Sequence, residues 1–318
     1  MPGPEGVLSW DEWLALDVGE PDWLIPGLLE RGGGGLVHGS TQSYKSFLML
    51  RMCLDLAAGL SVLDIFPVTA PRPTLLFQAE GSVRAWRRRM LNLRDDYPSG
   101  IPFWSRHTAV DMFDSPSGDA RMRAALERVR PDLLVLDPIA DFFDGSDTDQ
   151  VSVQRWLRVV NGWKTDFSCA VVLVHHDRQP LRFPSQGKMT VVDGGLEEVR
   201  GNTRLIGWPD VVLGMRRKLD VTTVRVQKVR DAEHGQEFDF RLVSGKLVLG
   251  GRTDLLAVAI LAAVVGEVWQ ADVMHSVEAG TGMGGRTVRR AIDKLVTSGE
   301  LVRFTMGGRL KLRLGEKA

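Results

Sequence analysis

Gly39-Ser40-Thr41-Gln42-Ser43-Tyr44-Lys45-Ser46 is the stretch on which the reading of this chain turns. It follows the short apolar run Leu36-Val37-His38 and precedes an apolar-periodic segment at 47–58, so the order is strand, loop, helix. The eight residues match G-x-x-x-x-G-K-[ST] at every fixed position except the second glycine, where Tyr44 stands. The spacing has a physical reason. A tight loop turns its backbone N–H groups inward around phosphate oxygens, and the helix that follows aims its positive end at the same point. Lys45 would supply a point charge to the β and γ phosphates, and the Ser46 hydroxyl would complete a Mg2+ shell. A side chain at position 44 must tolerate the loop geometry or alter it. Residues 39–46 therefore predict a nucleotide site.

Working outward, Leu133-Leu134-Val135-Leu136-Asp137 is an apolar strand ending in a carboxylate. Beside a phosphate loop, such a carboxylate is placed to hold magnesium-bound water. Gln78-Ala79-Glu80-Gly81 closes the strand that starts at Thr74. A glutamate there lies on the ligand-binding edge of a parallel α/β sheet and can polarise a water for in-line attack on a γ-phosphate. His175-His176 ends the apolar run from Ala170. Either histidine could touch the γ-phosphate or relay its presence, and a structural histidine is the alternative.

Continuous apolar runs alternating with amphipathic helices at 83–94, 121–130 and 153–163 predict an α/β domain whose mainly parallel sheet is covered on both faces. After Pro209 the texture changes to shorter strands at 211–215, 222–229, 237–242 and 246–249, a meander that closes the domain. Gly250-Gly251 reads as a hinge. The expected organisation is an N-terminal lead-in (1–30), an α/β domain (31–250) and a small C-terminal domain (253–318) of helices at 255–265, 271–278 and 286–298 with a final hairpin.

Composition narrows the class. With 318 residues, 44% apolar and 25% charged, the chain can bury a sizeable core, which excludes a disordered protein. Two cysteines in apolar runs, Cys53 and Cys169, exclude a disulfide framework. The N-terminus lacks the basic start and apolar core of a secretory signal. The most apolar stretch, 255–265, is about half the ~20 residues a bilayer crossing needs. A cytoplasmic protein without a membrane partner is expected. Forty basic residues balance forty acidic ones, which excludes a uniformly basic coat but not local patches. The charge is split: residues 252–318 hold ten basic and seven acidic side chains, whereas residues 1–251 hold thirty and thirty-three.

Taken in order, GSTQSYKSFLML at 39–50, the run 75–81 ending in Glu80-Gly81, LLVLDPIADFF at 133–143, VVLVHH at 171–176 and Gln227-Lys228-Val229-Arg230 resemble RecA-like ATPases. The resemblance is to the RepA-like hexameric replicative helicases of plasmids and phages, with DnaB-type helicases more distant, and covers roughly residues 20–245. It implies a RecA-like P-loop core that takes ATP and Mg2+. Lys45 and Ser46 match the phosphate-loop pair, Asp137 the magnesium-side aspartate, Glu80 the catalytic glutamate and His176 the sensor. Lys228 and Arg230 match the basic pair that reaches into a neighbouring subunit's site, which implies a homo-oligomer, expected as a hexamer. An arginine supplied in trans stabilises the charge spread over the transferring phosphoryl group. Tyr44 and Pro138 depart from the family pattern.

The polar stretch 177–204 reads as a long loop without regular structure. The resemblance puts such loops in the central channel of a ring. Arg178, Arg182 and Lys188, with Phe183, would there offer phosphate contacts and a stacking ring for single-stranded DNA, or form a plain surface loop. Arg84, Arg87, Arg88 and Arg89 form a patch for either the nucleotide or a subunit interface. The C-terminal helices and basic hairpin resemble a winged-helix domain, a helix-turn-helix variant. Its third helix carries Arg286, Arg289 and Arg290 opposite an apolar face, suited to duplex DNA or to a protein partner. The expected activity is that of an ATP-dependent DNA helicase or translocase in phage or plasmid replication. The rival is a non-motor, RecA-like ATP switch: a regulator, loader or recombination mediator.

Overall fold

The computed structural model describes residues 7–17, 19–107, 112–145, 149–177, 182–185, 188–191, 203–230, 234–250, 260–261, 263–281 and 284–315, with the side chains of 182–185, 188–191, 203, 281 and 298 outside that set. In chain order its elements are α1 (Trp10–Ala15), β1 (Trp23–Ile25), β2 (Leu29–Glu30), β3 (Gly34–Gly39), α2 (Lys45–Ala58), β4 (Thr74–Gln78), α3 (Val83–Leu93), β5 (Phe103–His107), α4 (Pro116–Val129), β6 (Leu133–Asp137), α5 (Gln150–Phe167) and β7 (Ala170–His176). There follow β8 (Arg182–Ser185), β9 (Lys188–Val191), α6 (Thr203–Gly207), β10 (Val211–Lys218), β11 (Val221–Val229), β12 (Glu237–Val243), β13 (Lys246–Leu249), β14 (Val268–Trp269), α7 (Gln270–Thr281), α8 (Gly285–Ser298), β15 (Leu301–Met306) and β16 (Arg309–Leu314).

Nine strands form one sheet in the order β13-β12-β11-β10-β3-β7-β6-β4-β5. The run from β10 to β5 is parallel, and β11, β12 and β13 continue it as an antiparallel meander. The parallel strands are apolar throughout because both faces are covered. Alternate side chains serve opposite layers. Val37, Leu76, Val135 and Val172 join a cluster built on α2, whereas Leu36, Phe77, Leu134 and Leu173 join one built on α4 and α5. The second cluster is dominated by the fully buried Trp156 and Trp163, rings 5.4 Å apart; truncating either to Ala would cost roughly 3–5 kcal/mol. This architecture is the RecA-like P-loop core.

Three local readings change. The lead-in before Gly32 contains a short hairpin, β1 with β2, whose Leu24, Ile25, Leu28 and Leu29 belong to the first cluster. The stretch 177–204 is not structureless: β8 pairs with β9, and α6 follows. Its strands evade a periodicity search because each is four residues long and one contains Pro184, which is tolerated where a strand edge needs no donor. Helix α4 begins five residues before the expected start, because Ser115 caps it and Pro116 occupies its first turn.

The C-terminal residues fold around a core of their own, with Val273, Val277, Val288, Ile292, Leu295, Leu301 and Leu312 at its centre. Strands β15 and β16 form a hairpin whose Gly307-Gly308 turn has both residues at positive φ, and β14 adds to β16 as a third strand. On α8, Val288, Ala291, Ile292 and Leu295 point inward while Arg286, Arg289, Arg290 and Lys294 are exposed, as the spacing predicts. Among the described residues no helix is long and apolar enough to cross a membrane.

Candidate nucleotide site

Parallel register brings four strand ends to one edge of the sheet. Gly39 ends β3 opposite His176 of β7, and Gln78 ends β4 opposite Asp137 of β6. The phosphate loop leaves β3 there. Gly39 must be glycine, because a Cβ would sit 2.5 Å from Met215 O on β10. Tyr44 adopts the left-handed conformation (φ 68°, ψ 26°) that the missing second glycine would favour, so the loop keeps its geometry and the side chain bears the strain. The Tyr44 ring is held edge-on by Phe47 at 5.7 Å, and the Arg217 guanidinium stacks on it at 4.4 Å. Helix α2 then starts at Lys45 with its N-terminus facing the loop.

The side chains converge. Lys45 is buried, and its Nζ donates to Gly39 O at 2.7 Å and Ser40 O at 2.9 Å. His176 Nδ1 lies 3.3 Å from the same ammonium, and His176 Nε2 lies 2.9 Å from Glu80 Oε1. The tautomer with its proton on Nε2 satisfies both contacts. Asp137 is buried, hydrogen-bonded to Ser46, and receives the Gln78 amide at 2.7 Å on Oδ2; the Gln78 oxygen accepts the Glu80 N–H at 3.2 Å. Lys45, Ser46, Glu80, Asp137 and His176 line a cavity of about 360 Å3, which Arg89 and Arg217 also border.

The electrostatics follow from this packing. Burial raises the Asp137 carboxyl to about 6, opposed by the Ser46 hydrogen bond. The His176 hydrogen bond lowers the Glu80 carboxyl, against a smaller opposing effect of burial. Burial lowers the Lys45 ammonium, while Asp137, Asp177 and Glu80 pull it back up. Arg89 is likewise lowered by burial, with its guanidinium 4.3 Å over the Phe47 ring. One carboxylate and one hydroxyl suit Mg2+, which takes its remaining ligands from phosphate and water. Ser46 and Asp137 are the residues that would hold it, and among the described residues no group of three or more His, Cys, Asp or Glu competes for a metal.

The predicted residues Gly39 to Ser46, Glu80, Asp137 and His176 thus share one site. Of the four-arginine patch only Arg89 borders it; Arg84, Arg87 and Arg88 are exposed. His175 is buried in β7 beside His38 of β3. Lys228 and Arg230 lie elsewhere. Val229 is level with Val211, which is level with Gly35, so this end of β11 sits about four strand residues, ~13 Å, from the phosphate-loop edge. There Arg230 Nη1 meets Asp210 Oδ1 at 3.2 Å, and Lys228 Nζ donates to Pro209 O at 2.6 Å. Arg178 lies outside the described residues, as do the side chains of Arg182 and Lys188, whose backbones belong to the β8–β9 hairpin. Arg286, Arg289 and Arg290 are on α8. Two site residues had no assigned role from sequence: Gln78, for which a buried glutamine ending an apolar strand was the signal, and Arg217, which reaches the site only because β10 lies beside β3.

A family model described as an AAA domain matches residues 5–180, more than half of the chain. The match encloses Lys45, Ser46, Glu80, Asp137 and His176 and ends before Lys228, Arg230 and the C-terminal unit. No curated protein gives a significant match. The phosphate loop, the strand-end carboxylates and the family match agree, and the chain belongs to the AAA domain family of P-loop proteins.

Proposed function

We propose that the protein is an ATP-driven motor on DNA, a helicase or translocase of the RepA-like kind that hydrolyses ATP at the subunit interfaces of a homo-hexamer in phage or plasmid replication. The observation that supports this most is the convergence of a buried cation, the Ser46–Asp137 pair and the Glu80–His176 pair on one cavity. ATP is the substrate. Lys45 can exchange the carbonyls of Gly39 and Ser40 for phosphate oxygens by turning its ammonium, trading neutral acceptors for charged ones. Mg2+, when bound through Ser46 and Asp137, supplies charge that offsets the phosphates. Glu80, kept ionised by its hydrogen bond from His176, accepts the proton of the attacking water as the water oxygen bonds to the γ-phosphorus and ADP departs.

His176 touches both Lys45 and Glu80 and so is suited to register the γ-phosphate. Arg230 sits too far from its own chain's phosphate loop to serve it, which favours delivery to a neighbour, where a trans arginine is worth about 10³–10⁵ in kcat. Arg178, Arg182 and Lys188 are the candidates for single-stranded DNA in the channel. The C-terminal unit, read as a winged-helix domain, offers Arg286, Arg289 and Arg290 to duplex DNA. That exposed arginine row also supports the second reading, a non-motor ATP switch that recognises duplex and hydrolyses slowly. The deciding experiment is Glu80→Gln. A motor should retain ATP binding and lose hydrolysis by about 10²–10⁴-fold together with strand displacement; a variant that separates strands as well as the wild type would exclude this mechanism.

A further inference from the structure

His38 is the last strand residue before Gly39, is almost wholly buried, and has no place in the nucleotide cavity. Both of its ring nitrogens are engaged: Nδ1 with Asp177 Oδ1 and Nε2 with Gln227 Oε1, each at 2.7 Å. Asp177 directly follows His176, and its backbone N–H donates to Gly39 O at 3.2 Å. The residue after the γ-phosphate sensor is thus tied to the strand that launches the phosphate loop.

The other partner is held by a device of its own. In the ladder between β10 and β11, Lys228 pairs with Val212 and Val226 with Leu213, so Gln227 is an inserted, unpaired residue. A bulge of this kind re-aims a side chain, and here it brings the Gln227 amide to His38. The amide lies over Gly214, where a Cβ would stand 2.3 Å from Gln227 Nε2. A buried histidine, a bulge and a glycine, from three different strands, thus make one bridge. Three residues beyond Gln227, the same strand delivers Arg230, whose backbone N–H and guanidinium are both held by Asp210.

We propose that His38 and Gln227 are positioning residues that tie occupancy of a subunit's own nucleotide site to the presentation of its Arg230 to the neighbouring subunit. A movement of the His176–Asp177 end of β7 cannot leave His38 behind without orphaning a buried ring nitrogen, a loss that biases the arrangement by about tenfold or more. His38 passes the displacement to the bulge, and the bulge sets how Arg230 sits against Asp210. This rests on the ATPase reading with Arg230 acting in trans, and it adds a route by which neighbouring sites fire in sequence.

The test uses the full-length chain with single-stranded DNA and an ATP titration of hydrolysis, on Gln227→Met, which removes the amide, and on Gly214→Ala, which displaces the amide without replacing either residue of the His38–Gln227 pair. Both should lower kcat roughly tenfold and bring the Hill coefficient to about 1, while KM for ATP stays within about twofold. Wild-type kcat and Hill coefficient in both variants, or a raised KM with unchanged kcat, would overturn the proposal, as would full specific activity in whatever fraction of a destabilised variant remains folded. Failure of the underlying reading looks different: the wild type would not hydrolyse ATP, or Arg230→Ala would hydrolyse it normally.

Discussion

Replacing Asp137 by Asn should stabilise the protein when no nucleotide or Mg2+ is present, and the gain should grow with pH. Asp137 is fully buried at the end of β6, and its carboxyl is raised from 3.8 to about 6, chiefly by loss of solvent. A folded-state value above the unfolded one means that the native state holds the proton more tightly. The group's favourable contribution is therefore complete below about pH 4 and is lost as pH rises through about 6. A shift of roughly two units corresponds to about 3 kcal/mol. Asn carries no charge to bury, and its geometry is served by the neighbours. If the Gln78 amide turns over, its oxygen accepts from Asn at 137 and its nitrogen donates to Glu80 O, a contact of 3.3 Å. Urea titrations followed by tryptophan fluorescence, which reports the buried Trp156 and Trp163, measure the difference. Wild type and variant should be nearly equal near pH 3, below the unfolded-state value of 3.8, and diverge to about 3 kcal/mol in favour of the variant by pH 7.5. Saturating Mg2+ and ATP should narrow or reverse the gap, because the wild type alone keeps the carboxylate contact to Mg2+ and so gains more binding energy. A variant less stable at pH 7.5, or a gap independent of pH, would refute the view that Asp137 is a buried charge maintained for its ligand.

Two further outcomes follow from the same geometry. Tyr44→Gly releases a left-handed strain of about 1–2 kcal/mol but forfeits the Arg217 stack and the Phe47 edge contact, so chemical denaturation should move by no more than about 1 kcal/mol and a fluorescent ATP analogue should still bind. Removing Arg286, Arg289 and Arg290 together should weaken duplex binding at all sequences and reduce the salt slope of the binding constant by up to about three, as read by fluorescence anisotropy; an unchanged slope would assign those side chains to a protein partner.

What was legible in the sequence is what local chemistry dictates. Residues 39–46, Asp137, Glu80 and His176 stand at strand ends where an apolar run stops on a polar side chain, and a parallel sheet collects such ends at one edge. What escaped depends on partners distant in the chain. Strand β5 (Phe103–His107) has exposed Trp104, Ser105 and Arg106 at its middle and no alternation, because this edge strand is held by backbone pairing with β4 that its side chains do not encode. Strand order was equally hidden: nothing local says that β7 lies between β3 and β6. Arg217 looks like an ordinary residue of a meander, and Gln227 opens the Gln227-Lys228-Val229-Arg230 run without a role of its own; they reach the loop and His38 only because β10 pairs with β3 and β11 folds back on β10 with a one-residue bulge. Tyr44 is the converse case. The departure from glycine was visible, but that the loop would hold its shape around a tyrosine was decided by Phe47 and Arg217.

The measurement that tests the account most directly is the steady-state rate of ATP hydrolysis by the full-length protein without DNA, with single-stranded DNA and with duplex. A ring motor with Glu80 as the water-positioning base and Arg230 supplied in trans should hydrolyse ATP faster on single strands than on duplex or alone, and Arg230→Ala should lose about 10³-fold or more of that rate. A rate indifferent to DNA, or one that survives Arg230→Ala, would contradict it.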